Sequence, residues 1–412
     1  MPAGFEKDFQ YYRFCLYGFL KNQKFYEPFF LLFLLSKDIS YLSIGLLYSI
    51  KEIVVNLLEI PGGIIADSAG RKRTMIISFL FYISSFITFY VSNSYYMLVA
   101  AIVLFGIGDV FRTGTHKAMI YDYLSLKGWD GQRVDYYGHT RSWSQIGSAV
   151  SSLIAATIVI VSDNYSAIFL FAILPYLLNL ANLAAYPQWL DGDQGKFEAD
   201  RFRQKFREVA GSLISTFRKT LTMRLYVNSS IISGFYDSAK DYLQPLLVSF
   251  ALALPLIKWV DEADRSSVTI GITYFIIYLL TSRASKLSGR FSGYTGGEGR
   301  GMNLSYLFVS IAGILSGLLF HLRIEAISII FFVLILIFEN LRRPVCVSKI
   351  SSSTNREALS TYLSVDSQLK SLFTMIISPI LGFVADKVSP GAAILMISAV
   401  ILLLLPAVRI RS

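Results

Sequence analysis

Apolar stretches of about twenty residues recur along the whole chain, separated by short polar or basic turns. A helix of about that length crosses the hydrocarbon core of a bilayer. Twelve such stretches are read, at 12–35, 41–65, 74–92, 97–122, 138–161, 165–187, 224–250, 267–285, 302–320, 326–347, 359–384 and 390–408. The longest polar segment, 191–223, separates them into two sets of six. The pattern predicts an all-α integral membrane protein built of two six-helix bundles, 1–190 and 224–412, with a cytoplasmic linker at 191–223. An even count puts both termini on one side. In the linker, Phe202, Phe206, Val209, Leu213 and Phe217 share one helical face, with basic residues elsewhere. That predicts an amphipathic helix lying on the inner leaflet, the alternative being a solvated connection.

Composition agrees with the pattern. The mean hydropathy is +0.53 and only 16% of residues are charged, against about 25% in a soluble domain. The opening MPAGFEKDFQYYR is polar and has no small-residue cleavage site, so the first span is expected to direct insertion itself. Cys15 and Cys346 lie in or beside spans, and neither they nor the histidines have metal-ligand spacing. The glycine-rich run 293–299 has no P-loop lysine. No cofactor, no metal, no ATP-driven step and no enzymatic nucleophile is expected.

The net charge of +10 is a matter of topology. One set of loops carries Arg71, Lys72, Arg73, Lys127, Arg133, Arg283, Lys286, Arg290, Arg300, Lys349 and Arg356, together with the linker and the tail residues Arg409 and Arg411. The opposite loops carry Lys37, Lys258, Arg265, Arg323 and Lys387. Lysine and arginine accumulate on the cytoplasmic side, so both termini are expected there, in a plasma (inner) membrane. The same distribution argues against nucleic acid as a partner.

The two halves echo each other. KFYEPFFLL (24–32) in span 1 aligns on proline with DYLQPLLVS (241–249) in span 7, placing Glu27 opposite Gln244. Span 4 holds Asp109 three residues before Arg112, and span 10 holds Glu339 three residues before Arg342. Equivalent spans sharing such features point to a duplicated transporter with its site where the halves meet.

Charge inside the membrane costs free energy and needs a reason. Span 4 offers Asp109, Arg112, Thr113, His116 and Lys117, which fall on one broad face of a continuous helix. Span 1 offers Lys21, Lys24 and Glu27, span 2 Lys51, Glu52 and Glu59, and span 5 Arg141. The second half offers Asp237, Lys240, Asp241 and Gln244, then Glu339, Arg342 and Arg343, then Asp366 and Lys370. Three readings stand side by side. These charges only fix helix packing; or an acid, with Asp109, Glu27 and Asp237 the candidates and His116 beside them, takes up and releases a proton; or cations bind an anionic or zwitterionic solute. For the last, the cavity candidates are Lys24, Lys51, Glu52, Arg112, Lys117, Arg141, Lys240, Asp241, Gln244, Glu339 and Arg342.

One loop interrupts the apolar pattern distinctively. Gly63-Ile-Ile-Ala-Asp67-Ser-Ala-Gly70-Arg71-Lys72, between spans 2 and 3, resembles the signature loop of the major facilitator superfamily. Glu59-Ile-Pro61-Gly62 before it, and the segments 343–344, 355–360 and 378–386, resemble a bacterial branch of that family. The resemblance covers essentially the whole chain. It implies a secondary active transporter working by alternating access, in which Gly63, Asp67, Gly70, Arg71 and Lys72 belong to an inner gate. It also favours efflux, by proton antiport, over uptake. The second-half counterpart of the loop, Lys286-Leu-Ser-Gly289-Arg290, has lysine where the aspartate belongs, which implies a weaker latch. Gly382-Phe-Val-Ala-Asp386 imitates the loop at the outer end of span 11, where a packing role is expected. The partners expected are a small solute, protons and the bilayer, with a monomer as the working unit. A proton-independent facilitator or uptake permease, and a receptor or scaffold that kept the fold, remain alternatives.

Overall fold

The structure is a computed structural model that describes residues 6–191, 207, 211, 220–253, 261–352 and 359–410. The amphipathic stretch expected at 202–217 lies outside the described residues apart from two isolated positions. Among the described residues the regular structure is entirely helical. In chain order the helices are α1 (Phe9–Lys21), α2 (Phe30–Leu35), α3 (Tyr41–Ala69), α4 (Arg71–Val91), α5 (Tyr95–Arg112), α6 (Thr115–Leu126), α7 (Arg133–Ser162) and α8 (Ala167–Ala184). They are followed by α9 (Thr220–Ala239), α10 (Leu243–Ala253), α11 (Glu262–Tyr294), α12 (Glu298–His321), α13 (Glu325–Ser352), α14 (Leu359–Lys387) and α15 (Pro390–Val408). Nine helices among the described residues are long and apolar enough to cross a membrane.

Three stretches expected as continuous helices are broken, and each break has a local cause. Span 1 stops at Lys21, runs through turns and resumes at Phe30. Pro28 in that gap lacks an N–H and disfavours the helical conformation at Glu27 before it. Span 4 stops at Arg112 and resumes at Thr115, with Gly114 between them at φ +82°. Span 7 tightens to a 3-10 turn at Lys240–Tyr242 before α10, whose third residue is Pro245. Breaks at membrane depth leave backbone groups that side chains must satisfy.

The chain forms two compact units. The first comprises Met1–Phe29 and Val54–Arg203, the second Phe30–Ile53 and Gln204–Ser412. In the first, α4 packs on α5 and α8, and α1 on α7 and α8. Its centre is aromatic: Phe79, Tyr82, Phe86 and Tyr176 are all buried and stack edge to face or tilted against one another. In the second, α12 packs on α13 and α15, α9 on α14, and α11 on α13. The first half of α3 lies along α14 in this unit. A methyl group at Gly45 would overlap the Ser378 carbonyl, and one at Gly382 would overlap that of Tyr41. Small residues thus let the two backbones touch.

Candidate functional site

Three groups of polar side chains stand out, two in the first unit and one in the second. The first surrounds the signature loop. Gly70, at φ +94°, caps α4 in a conformation that L side chains rarely adopt. The first N–H groups of a helix need acceptors. Asp191 supplies one: its Oδ1 accepts from Lys72 N at 2.8 Å and from Arg73 N at 3.3 Å. Lys72 Nζ donates to the Tyr186 carbonyl at 2.6 Å, and Arg71 pairs with Asp122 of α6. Gly70, Arg71 and Lys72 thus open α4 with Asp122 and Asp191 beside them. Gly63 faces open space, and the side chain of Asp67 lies outside the described residues. Asp122 and Asp191, which complete the cluster, were not read from the sequence.

The second group lies at the breaks of spans 1 and 4. Asp109 Oδ1 accepts from the Tyr82 hydroxyl at 2.6 Å and from Arg112 Nη2 at 3.1 Å. Arg112 Nε donates to the same hydroxyl at 2.9 Å, closing a triangle. Lys24 pairs with Glu27 at 3.3 Å inside the turn that replaces the helix. Lys21, the last residue of α1, is within electrostatic reach of both pairs. Both pairs are partly exposed.

The expected single face of span 4 does not survive the break at Gly114. His116 stacks flat on Tyr17, with ring centroids 3.6 Å apart, and its Nε2 lies 3.4 Å from the Tyr186 hydroxyl. Lys117 is exposed and lies about equally far, 5.3 and 5.4 Å, from the rings of Tyr121 and Tyr137. Arg141 is exposed on α7. Of the span 4 and span 5 candidates, Asp109 and Arg112 thus share one cluster, while His116 is packed among rings and Lys117 and Arg141 stand on exposed positions.

The third group is a stripe along α9 and the 3-10 turn that follows it. Ser230, Ser233, Asp237 and Asp241 recur at helical spacing. Ser230 donates to Asp366 Oδ1 at 3.2 Å, Ser233 to Glu339 Oε1 at 2.5 Å, and Lys370 pairs with Asp237 at 2.7 Å. Asp241, one turn further, accepts from the Tyr48 hydroxyl at 2.7 Å. Lys51 and Lys240 are within electrostatic reach of Asp237. Glu52 accepts from Ser371 at 2.7 Å and lies 3.4 Å from Lys51. Glu339, Arg342 and Asp366 are fully buried. Arg342 spends four of its five N–H donors, on Asn228 O and Oδ1, both at 2.9 Å, and on Ser229 O and Ser305 Oγ, both at 3.3 Å. Arg343 pairs with Asp366 at 2.7 Å.

Gln244 is also fully buried and caps α2: its Oε1 accepts from the N–H groups of Leu31 and Leu32. In this structure Gln244, Glu339 and Arg342 are enclosed by protein, where they were expected to line a cavity. Asp386 caps α3, accepting from Tyr41 N and Leu42 N at 2.8 Å each. The serine and tyrosine partners were missed. The regular spacing of Ser230, Ser233, Asp237 and Asp241 is the signal that could have shown this stripe.

The arrangement is a set of acid–cation pairs beside interrupted helices, without a nucleophile–base constellation or a cluster of metal ligands among the described residues. The chain is similar to an uncharacterized MFS-type transporter, YxaM, of Bacillus subtilis (strain 168), at 23% identity over 270 residues. That match takes in 63% of this chain and 62% of the relative, so the chain spans less than two thirds of the relative's length. Among solved structures, the nucleoside transporter NupG shares 13% identity with a TM-score of 0.67, over 97% of this chain and 96% of that one. A POT family transporter in complex with 5-aminolevulinic acid shares 12% with a TM-score of 0.73, over 96% and 93%. These likenesses show a shared fold. The family description Major Facilitator Superfamily matches residues 22–365, and with that extent of match the chain belongs to this superfamily of membrane transport proteins.

Proposed function

We propose that the protein moves a small organic solute, anionic or zwitterionic, across the plasma membrane by alternating access, coupled to protons. In this reading two six-helix bundles, 1–190 and 224–412, are joined by the 191–223 linker. The termini and the signature loop face the cytoplasm, and Gly70, Arg71 and Lys72 with Asp122 and Asp191 form the inner gate.

The observation that carries the reading is the charge balance at the breaks of spans 1 and 4. With Lys21 protonated, Lys21, Lys24 and Arg112 stand against Glu27 and Asp109, one cation in excess. Interrupted helices with such charges mark substrate and ion sites in transporters. A carboxylate or phosphate group on the solute would offset the excess, and Asp109 or Glu27 can face an ammonium on the same molecule. The POT family transporter of similar fold holds 5-aminolevulinic acid, which carries both groups.

The test is proton flux in proteoliposomes loaded with a pH dye and challenged with organic anions, zwitterions and cationic amphiphiles. A pH change driven by an anion or zwitterion supports the proposal. Solute uptake with no pH change makes the protein a proton-independent facilitator, and a response to cationic amphiphiles alone overturns the charge reading.

A further inference from the structure

We infer that Glu339 of α13 is the carboxyl that binds and releases the coupled proton, an assignment that rests on the proton-coupled reading above. Asp109, Glu27 and Asp237 were the carboxyls singled out by sequence, and the geometry separates Glu339 from all three; Glu27 is paired with Lys24 at 3.3 Å. Asp109 accepts two short bonds, from Tyr82 and Arg112. Asp237 holds Lys370 at 2.7 Å, and the neighbouring Asp366 holds Arg343 at 2.7 Å. Protonating any of these gives up a charge-assisted contact to a cation at 3.3 Å or less, a loss that Glu339 does not carry.

Glu339 is built differently. It is 5% exposed, Ser233 donates to its Oε1, and its Oε2 has no hydrogen-bond partner among the described residues. A charged oxygen buried without a donor is far costlier than a neutral one. Arg342 is the nearest cation, at 3.7 Å from Oε2, beyond hydrogen-bond length. Four of its five N–H donors are taken by the Asn228 and Ser229 carbonyls, the Asn228 amide oxygen and the Ser305 hydroxyl. Arg342 therefore keeps these four bonds whichever form Glu339 takes. The other charged groups around Glu339 are Arg343 on α13, Asp237 on α9, and Asp366 and Lys370 on α14. These four are mutually paired, so the proton state of Glu339 is the free variable of the cluster. The buried thiol of Cys346 is a further titratable neighbour.

The stripe on α9 gives that variable a mechanical outlet. Ser233 joins Glu339 to α9. One turn on, Asp237 ties α9 to α14 through Lys370, and one turn further Asp241 ties the 3-10 turn that follows α9 to α3 through Tyr48. The step itself is a single transfer: the carboxylate takes a proton from water admitted on one side of the membrane, and the resulting carboxylic acid returns it to water on the other. Gain or loss of the negative charge changes the pull of Glu339 on the Ser233 hydroxyl, and so on α9.

Infrared difference spectroscopy of the purified full-length protein in lipid nanodiscs, stepped in pH, reads this directly through the C=O stretch of protonated carboxylic acids. Besides the signal of the exposed carboxyls, a pH-dependent component at the frequency of a buried carboxylic acid is expected in the wild type, unchanged in Asp109→Asn and lost in Glu339→Gln. In Ser233→Ala it should survive at a higher frequency, because a hydrogen bond to the carboxyl is gone. Should Glu339→Gln not fold, the Ser233→Ala shift decides. A component intact in Glu339→Gln, or unmoved in Ser233→Ala, overturns the assignment. In proteoliposomes, Glu339→Gln should keep exchange of whichever labelled panel solute the wild type carries, while its proton-linked net flux falls at least tenfold. Retained proton-linked flux overturns the assignment alone. Solute flux without proton movement in the wild type removes the coupled reading itself.

Discussion

Gln244 Oε1 accepts hydrogen bonds from the backbone N–H groups of both Leu31 and Leu32, at 2.9 and 3.3 Å, so a side chain 213 residues along the chain from Leu31 caps the helix that follows the break in span 1. Those N–H groups are buried and cannot reach water. Losing a cap costs about 0.5–2 kcal/mol, and a buried donor left without an acceptor costs about 1–3 kcal/mol. Gln244→Leu is therefore expected to lower the midpoint of thermal unfolding. It should also speed hydrogen exchange at Leu31 and Leu32 selectively, while Gln244→Glu, which keeps an acceptor, should retain most of the protection. Unchanged exchange at both amides in Gln244→Leu would show that the bonds contribute nothing.

The history of Gln244 shows what a linear sequence can reveal here. The proline alignment rightly set it beside Glu27 as a position of interest, because polar residues in apolar runs are few. It did not disclose that Gln244 serves a backbone rather than a solute, since its partners lie on a helix distant in sequence. The pairs Asp109–Arg112 and Glu339–Arg342 were both legible from their spacing, and at i, i+3 acid and guanidinium come to 3.1 Å in the first and 3.7 Å in the second. Their difference was not legible: the first is partly exposed and tied to Tyr82, the second buried with its arginine engaged elsewhere. Lys117 was misplaced because a continuous helix was assumed across Gly114, whose positive φ ends it. Membrane-spanning stretches follow from local hydropathy, whereas breaks and side-chain partners depend on residues far along the chain.

Gly70 and Asp191 make a second stability prediction. Gly70→Ala forces a side chain into φ +94° and drives its methyl against the Asp191 carboxylate. Backbone strain of this kind costs about 1–3 kcal/mol, with steric conflict added. In an Asp191→Ala background the steric part disappears, so Gly70→Ala should cost less there than in the wild type. The double-mutant cycle, read by thermal unfolding in detergent, tests it. Strictly additive losses would mean that Asp191 does not crowd Gly70.

Arg112 provides a prediction about selectivity. If its guanidinium helps to hold an anionic group, Arg112→Ala should weaken an anionic solute at least tenfold more than a neutral analogue, a difference of about 1.4 kcal/mol. Tyr82→Phe removes one of its anchors without removing charge and should have a smaller effect in the same direction. Competition binding with matched anionic and neutral compounds measures both. Equal losses for the two compounds would leave Arg112 as the partner of Asp109 and nothing more.

The close seam between α3 and α14 makes the last prediction. Gly45 touches the Ser378 carbonyl, Gly382 touches that of Tyr41, and Ser49 donates to the Met375 carbonyl at 2.7 Å. Asp386 and Ser371 add bonds at either end. If the protein works by alternating access as proposed, a seam of this kind has to open once in each cycle. Cysteines introduced together at Ser49 and Met375 should form a disulfide under mild oxidation, because the Ser49 side chain already reaches the Met375 backbone. Cys15 and Cys346 are both buried, which limits competing reactions. Transport should stop in the oxidised double variant and return on reduction, while each single variant stays active and insensitive to oxidant. A cross-linked protein that still transports at the uncross-linked rate would mean that α3 and α14 remain together throughout the cycle, and the moving surface would have to be sought elsewhere.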